Sequence, residues 1–178
     1  MMNKSLKPLP NSFPDLGRDL YQRIRTPLGS PPFWNNLVFG VIVFGGIAIW
    51  IEFLKYGFNL PGTHPAEGIR TAFNTYFPAI GCASALQLIT TEKDNQDLRA
   101  FGYAASVSFF VVCCLTLLLQ FNHPYLSLIV GIIFSILAVL MWCIANGLDD
   151  AYSNFTPDAS LGGSVDERLM GTTSGFKV

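Results

Sequence analysis

Residues 100–148 read AFGYAASVSFFVVCCLTLLLQFNHPYLSLIVGIIFSILAVLMWCIANGL, without a single Asp, Glu, Lys or Arg. One crossing of a bilayer takes roughly 20 mostly apolar residues. The run is long enough for two crossings, and Phe121-Asn122-His123-Pro124 near its middle is a turn signal. It therefore reads as a tight helical hairpin, with spans at about 100–120 and 125–146.

The same signal recurs upstream. No charge falls between Arg25 and Glu52, and none between Arg70 and Glu92. Two further spans are expected at about 36–54 and 69–90. The whole chain is 51% hydrophobic and 13% charged, against about 25% charged in soluble domains. These features predict an all-α fold, a polytopic transmembrane four-helix bundle embedded in the lipid bilayer. Residues 1–34 form an N-terminal cytoplasmic segment, 35–146 the membrane domain and 147–178 a polar, Gly- and Ser-rich tail expected to be flexible.

Orientation follows from the basic residues. Lys4, Lys7, Arg18, Arg23 and Arg25 precede the first span, Lys93 and Arg99 lie between spans two and three, and Arg168 and Lys177 lie in the tail. The other side has only Lys55 and Arg70, both at span ends. The positive-inside rule then places both termini in the cytoplasm, N-in and C-in. The first 34 residues have no apolar core of the signal-peptide kind, so the first span is expected to direct membrane insertion. Trp34 marks its entry to the bilayer, and Trp50, Glu52, Lys55 and Tyr56 its exit. Gly40, Gly45 and Gly46 leave flat patches for a neighbouring backbone.

Before the first span, Leu16, Leu20 and Ile24 recur every four residues from Asp15, with Arg18, Asp19, Gln22, Arg23 and Arg25 on other faces. This is the pattern of a short interfacial helix, or equally of a solvated helix folded on its own subunit.

Span two is the polar one. Thr71, Asn74, Thr75, Pro78, Cys82 and Ala85 share one face, with Gly81 at its margin and Ser84 and Gln87 off it. Pro78 frees a carbonyl near Asn74 and is a candidate kink. An unpaired amide such as that of Asn74 does not belong against lipid. The face therefore packs against protein as helix–helix glue, or lines a pore or ligand cavity between subunits. Span three offers Gly102 with Ser106, and Ala104 with Ser108, as small-xxx-small pairs. Thr71, Asn74, Thr75, Pro78, Gly81, Cys82, Gly102 and Ser106 are the candidate oligomer or pore face.

No ionisable residue falls in mid-span, which weighs against a pump, a proton-coupled transporter or a voltage sensor. His64 and His123 sit in outer loops, away from any haem position. Cys82, Cys113, Cys114 and Cys143 lie in spans without ligand spacing, and adjacent Cys113 and Cys114 point to different faces. No nucleophile, metal-ligand or phosphate-loop motif is present. A non-enzymatic protein without cofactor or metal is expected. The basic residues are too scattered for a nucleic-acid footprint. Asp149-Asp150 reads as a solvated helix end, and the Asn154-Phe155-Thr156 sequon as unused in a cytoplasmic tail. Within that tail, Asp166, Glu167, Arg168, Leu169 and Met170, with Phe176, form a short candidate anchor for a partner protein.

In its size, its four spans with cytoplasmic termini, its polar second span (Asn74-Thr75-Tyr76-Phe77-Pro78) and its lack of catalytic groups, the chain resembles the small four-span membrane subunits of bacterial anti-phage defence systems of the Kiwa type. The resemblance implies a homo-oligomeric sensor or scaffold in the bacterial inner membrane, working with a soluble cytoplasmic effector. A small oligomeric pore lined by span two is the alternative.

Overall fold

The computed structural model describes residues 12–58, 65–92 and 95–148. The tail residues Asp166 to Met170 and Phe176, the acidic pair Asp149-Asp150, and His64 lie outside them.

The described residues are all helical. An N-terminal helix, α1 (Ser12–Arg25), is followed by a 3₁₀ turn at Thr26–Gly29. Next come α2 (Pro31–Phe44) and α3 (Ile47–Gly57), which together form one apolar stretch bent by 56° at a short break. Three long helices complete the fold: α4 (Pro65–Thr91), α5 (Gln96–Asn122) and α6 (Pro124–Asn146). The hairpin expected at residues 121–124 is present with one connecting residue. His123 closes α5 by donating its amide to the Leu119 carbonyl (2.7 Å), and α6 starts at Pro124. Proline at the first helical position loses no bond there, because that amide has no intrahelical partner.

Among the described residues, only α5 and α6 are long and apolar enough by themselves to cross a membrane, and α2 with α3 makes a third crossing if the bent pair is one span. The helix α4 is as long as α5, 27 residues each, but its Thr, Asn, Ser and Gln side chains keep it below that apolarity. Its position explains how it tolerates them. It packs against α3, α5 and α6 at once, and its Phe77, Ala85 and Leu88 are fully buried. A helix enclosed by other helices needs less apolar surface of its own than one facing lipid. It runs unbroken through Pro78. By contrast α5 is peripheral, with Val107, Phe110, Val111 and Leu118 exposed.

The core is built where α4, α5 and α6 meet. Each contributes one ring: Phe77 and Phe134 have centroids 5.7 Å apart, Phe109 and Phe134 6.1 Å, and Phe77 and Phe109 6.5 Å. Phe109 fits because Gly81 faces it, since a Cβ there would sit 2.7 Å from the ring. Around the rings lie Ala85, Leu88, Ala138, Met141 and Ile144, and Leu20 and Ile24 of α1 pack on the same cluster. The four-residue period of α1 thus folds it onto its own subunit, and of the two sequence readings the second describes these contacts.

The first apolar stretch differs from a straight span. Gly45-Gly46 ends α2, and α2 is wound wide over Asn36–Phe44, in the π-helical manner. A Cβ on Gly45 or Gly46 would overlap the carbonyl oxygen of Val41 or Ile42. Gly40, expected to offer a flat contact patch, has only the Asn36 side chain near its Cβ position, 3.8 Å away.

Replacing Gly81 with valine should force Phe109 out of the three-ring cluster and destabilise the bundle by about 1–3 kcal/mol, the usual range for overpacking. Thermal unfolding of the purified protein in detergent reads this directly, and an unchanged midpoint would remove Phe109 from that contact.

Candidate functional site

The polar residues of α4 are brought to five different places. Asn74 is buried and donates from Nδ2 to the Ser127 hydroxyl of α6 (2.9 Å); Ser127 in turn donates to the Thr116 carbonyl of α5 (3.0 Å). One relay thereby joins all three core helices. The Asn74 Oδ1 atom has no hydrogen-bond donor, but it lies against Gly131, where a Cβ would be only 2.5 Å away. A carbonyl oxygen against a glycine Cα is the geometry of a weak C–H···O contact at a close helix crossing.

Gly81, Cys82, Gly102 and Ser106 form the α4–α5 seam. The Cys82 thiol points at the Ser106 carbonyl (3.9 Å). A Cβ on Gly102 would be 2.8 Å from Ile89 and 3.2 Å from the Ala85 carbonyl. Small residues here let two helices approach closely, and both helices belong to one chain.

Thr71 and Thr75 behave differently, being exposed. Thr75 donates back to the carbonyls of Thr71 and Ala72 (both 3.0 Å), which hides its hydroxyl within its own helix. Thr71 lines a rim groove with Glu52, Lys55 and Glu67. Pro78 is half-buried. Among the eight candidate face residues, then, Asn74 and the seam residues meet partners inside the chain, and the two threonines do not join them.

Sequence reasoning missed a polar assembly at the α1 end of the bundle. Arg23, only 6% exposed, pairs with Glu92 just beyond α4 (2.5 Å) and reaches the Ile144 carbonyl near the end of α6 (3.5 Å). A guanidinium placed at two helix C-termini meets carbonyls that lack intrahelical donors and the negative end of each helix dipole. The Arg23 carbonyl lies so close to Gly147 that a Cβ there would overlap it. Beside this, Gln87 and Asn146 exchange amide bonds (2.9 and 3.3 Å), and Asn95 donates to Asp19 (3.4 Å). The legible signal was an amide or carboxylate at the ends of two spans, with three arginines on the N-terminal helix.

Tyr76 and Trp50 serve the break in the first apolar stretch. The Tyr76 hydroxyl donates to the Val41 carbonyl (3.1 Å) and the Trp50 indole to the Ile42 carbonyl (3.0 Å). Trp50, expected at headgroup level, thus turns its N–H back along the helix. An apolar groove of about 240 Å³ opens at this break, bounded by α3, α4 and α6.

Among the described residues no three His, Cys, Asp or Glu side chains gather as metal ligands would. All four cysteines are free thiols. No protein-family model, curated protein or solved structure matches the chain.

Two outcomes test this geometry. Gly131→Ala should destabilise the protein, and Asn74→Ala should relieve most of that loss, giving a double-mutant coupling of about 0.5–3 kcal/mol; additive effects would place Asn74 elsewhere. Arg23→Ala leaves Glu92 without its cation. Because Glu92 is partly exposed the loss should sit near the low end of the buried-pair range, about 3 kcal/mol. It should appear as faster proteolysis within α1, and unchanged proteolysis would contradict the docking of that helix.

Proposed function

We propose that the chain is a non-enzymatic subunit of the bacterial inner membrane, crossing it four times with both termini in the cytoplasm, and that it serves as a sensor or scaffold for a soluble cytoplasmic partner. The observation that carries this reading is the assembly at the α1 end. There Arg23, Glu92, Gln87 and Asn146 tie the N-terminal helix, the α4–α5 connection and the end of α6 together. Nine of the eleven basic residues fall, in sequence, before the first apolar stretch, between the end of α4 and the first turn of α5, or after α6, the segments that the positive-inside rule assigns to the cytoplasm. An assembly in which the N-terminal helix is tied to the ends of α4 and α6 suits a docking platform.

The crossings in this reading are the bent pair α2–α3, then α4, α5 and α6. A bend of 56° does not reverse the chain, so the two arms can enter and leave on opposite faces. Oligomers would form through the exposed face of α5, where Ala104 and Ser108 remain as a small pair after Gly102 and Ser106 are engaged with α4. A pore is disfavoured as the second reading because Asn74 and Gly81 face partners within the chain. The resemblance to membrane subunits of Kiwa-type systems would make the biological setting defence against phage.

Deleting residues 147–178 should abolish copurification of the soluble partner while the remaining chain still extracts from membranes as an oligomer. A monomer by native mass spectrometry, or a conductance in liposomes that vanishes with Asn74→Leu, would overturn the scaffold reading.

A further inference from the structure

The first apolar stretch changes partner halfway along. In its first half Phe33, Leu37 and Val41 of α2 pack with Cys143 and Trp142 of α6. In its second half Ile49 of α3 packs with Ala72 and Tyr76 of α4. Ile80 of α4 and Val139 of α6 touch both clusters, so the 56° bend shifts the buried partner of the stretch from α6 toward α4 without leaving either helix.

At the bend the hydrogen-bond ladder is reset. The Gly45 amide bonds the Gly40 carbonyl, five residues back (2.9 Å), and the amides of Ile49 and Trp50 both take the Gly46 carbonyl (2.9 and 3.2 Å). The carbonyls of Val41 and Ile42 lie between, and they accept from the Tyr76 hydroxyl and the Trp50 indole. In an uninterrupted α-helix those two carbonyls would accept from the amides of Gly45 and Gly46. Each carbonyl therefore has a donor in either shape: a side chain when the helix is bent, a backbone amide when it is straight. In lipid, where an unpaired carbonyl costs several kcal/mol, that is the condition for two stable forms of one segment. The bent form requires the two glycines, since a Cβ at either position would overlap the Val41 or Ile42 carbonyl.

We propose that residues 41–50 are a hinge in the first crossing and that Tyr76 is the clamp that holds it bent. Among the described residues its hydroxyl is the one side-chain donor to the hinge carbonyls that comes from outside the α2–α3 stretch, so it registers the position of α4 against α2. Straightening breaks that bond, lifts one arm off its neighbour and remodels the groove that begins at Ile42 and Gly46. The near end of α2 continues through Thr26–Gly29 into α1 and Arg23. A change at mid-membrane depth is thereby transmitted to the assembly at the α1 end, which gives the proposed sensor a moving part. The hinge rests on the reading of α2 and α3 as one crossing.

The test uses the full chain in nanodiscs, with nitroxide amino acids at two exposed pairs, Leu54 with Tyr125 and Val38 with Leu140, and pulsed dipolar spectroscopy. The parent chain should give one distance per pair. Gly46→Ala should populate a second distance in at least one pair. Adding Tyr76→Phe should raise the ratio of second to first distance about five-fold, the effect of one ordinary buried hydrogen bond. A ratio unchanged by Tyr76→Phe overturns the clamp, and a single distance in every variant overturns the hinge. Alkaline phosphatase fused after Phe58 reads the crossing separately. An inactive fusion would refute the single crossing, whereas an active fusion with unchanging distances would refute the hinge alone.

Discussion

A polar group inside a bilayer has no water to fall back on, so each must be matched within the protein or by a neighbour. On the proposed four-span reading, most of this structure follows from how the chain meets that condition at α4. Its amide, hydroxyl and thiol groups would be costly toward lipid, so the helix takes the central position and the more apolar helices surround it. Asn74 reaches Ser127, Tyr76 reaches Val41, Cys82 points at Ser106 and Gln87 reaches Asn146. Four contacts along one helix therefore fix its register against α6, α2, α5 and again α6. The apolar contacts alone would leave that register soft, because dispersion between rings and methyl groups is weakly directional.

The same condition explains the two ends of the structure that carry functional interest. At the break between α2 and α3, carbonyls left by the interrupted ladder take side-chain donors. At the ends of α4 and α6, carbonyls and helix dipoles meet the Arg23 guanidinium. In both places a helix terminus, which always has unsatisfied groups, is tied to a second element. Helix termini are thus where this protein couples its parts, and the described face of α5 is by comparison a plain apolar surface for lipid or another subunit.

Sequence periodicity and charge spacing were enough to place α4, α5 and α6 within a few residues, along with the amphipathic α1 and a turn at residues 121–124, which the structure narrows to His123. Those features are local: a charge-free run and a turn signal need no knowledge of the partner. The break at Gly45-Gly46 was not legible, although the paired glycines stood in plain view. Glycines in a span are as compatible with close packing as with a break, and what decides here is the Tyr76 hydroxyl 35 residues away. The indole bond from Trp50 to the Ile42 carbonyl across the break was not legible either, since a tryptophan between apolar and charged residues carries no sign of the partner its N–H takes. The polar face of α4 was recognised as unsuited to lipid, but periodicity cannot say whether the matching surface is in the same chain. Nor could it join Gln87 to Asn146, because the end-to-end alignment of spans two and four is set by tertiary packing.

The claim on which the rest stands is that the polar face of α4 is matched inside one chain, and cross-linking in native membranes tests it most directly. Cysteines would replace Asn74 and Ser127 in a chain whose four native cysteines are alanine, with a short bifunctional thiol reagent to bridge them. The expected product is a bridge within one molecule, migrating as monomer, with neither cysteine reached by a membrane-impermeant thiol reagent. A dimer-sized product, or ready labelling of position 74 from the aqueous side, would contradict it.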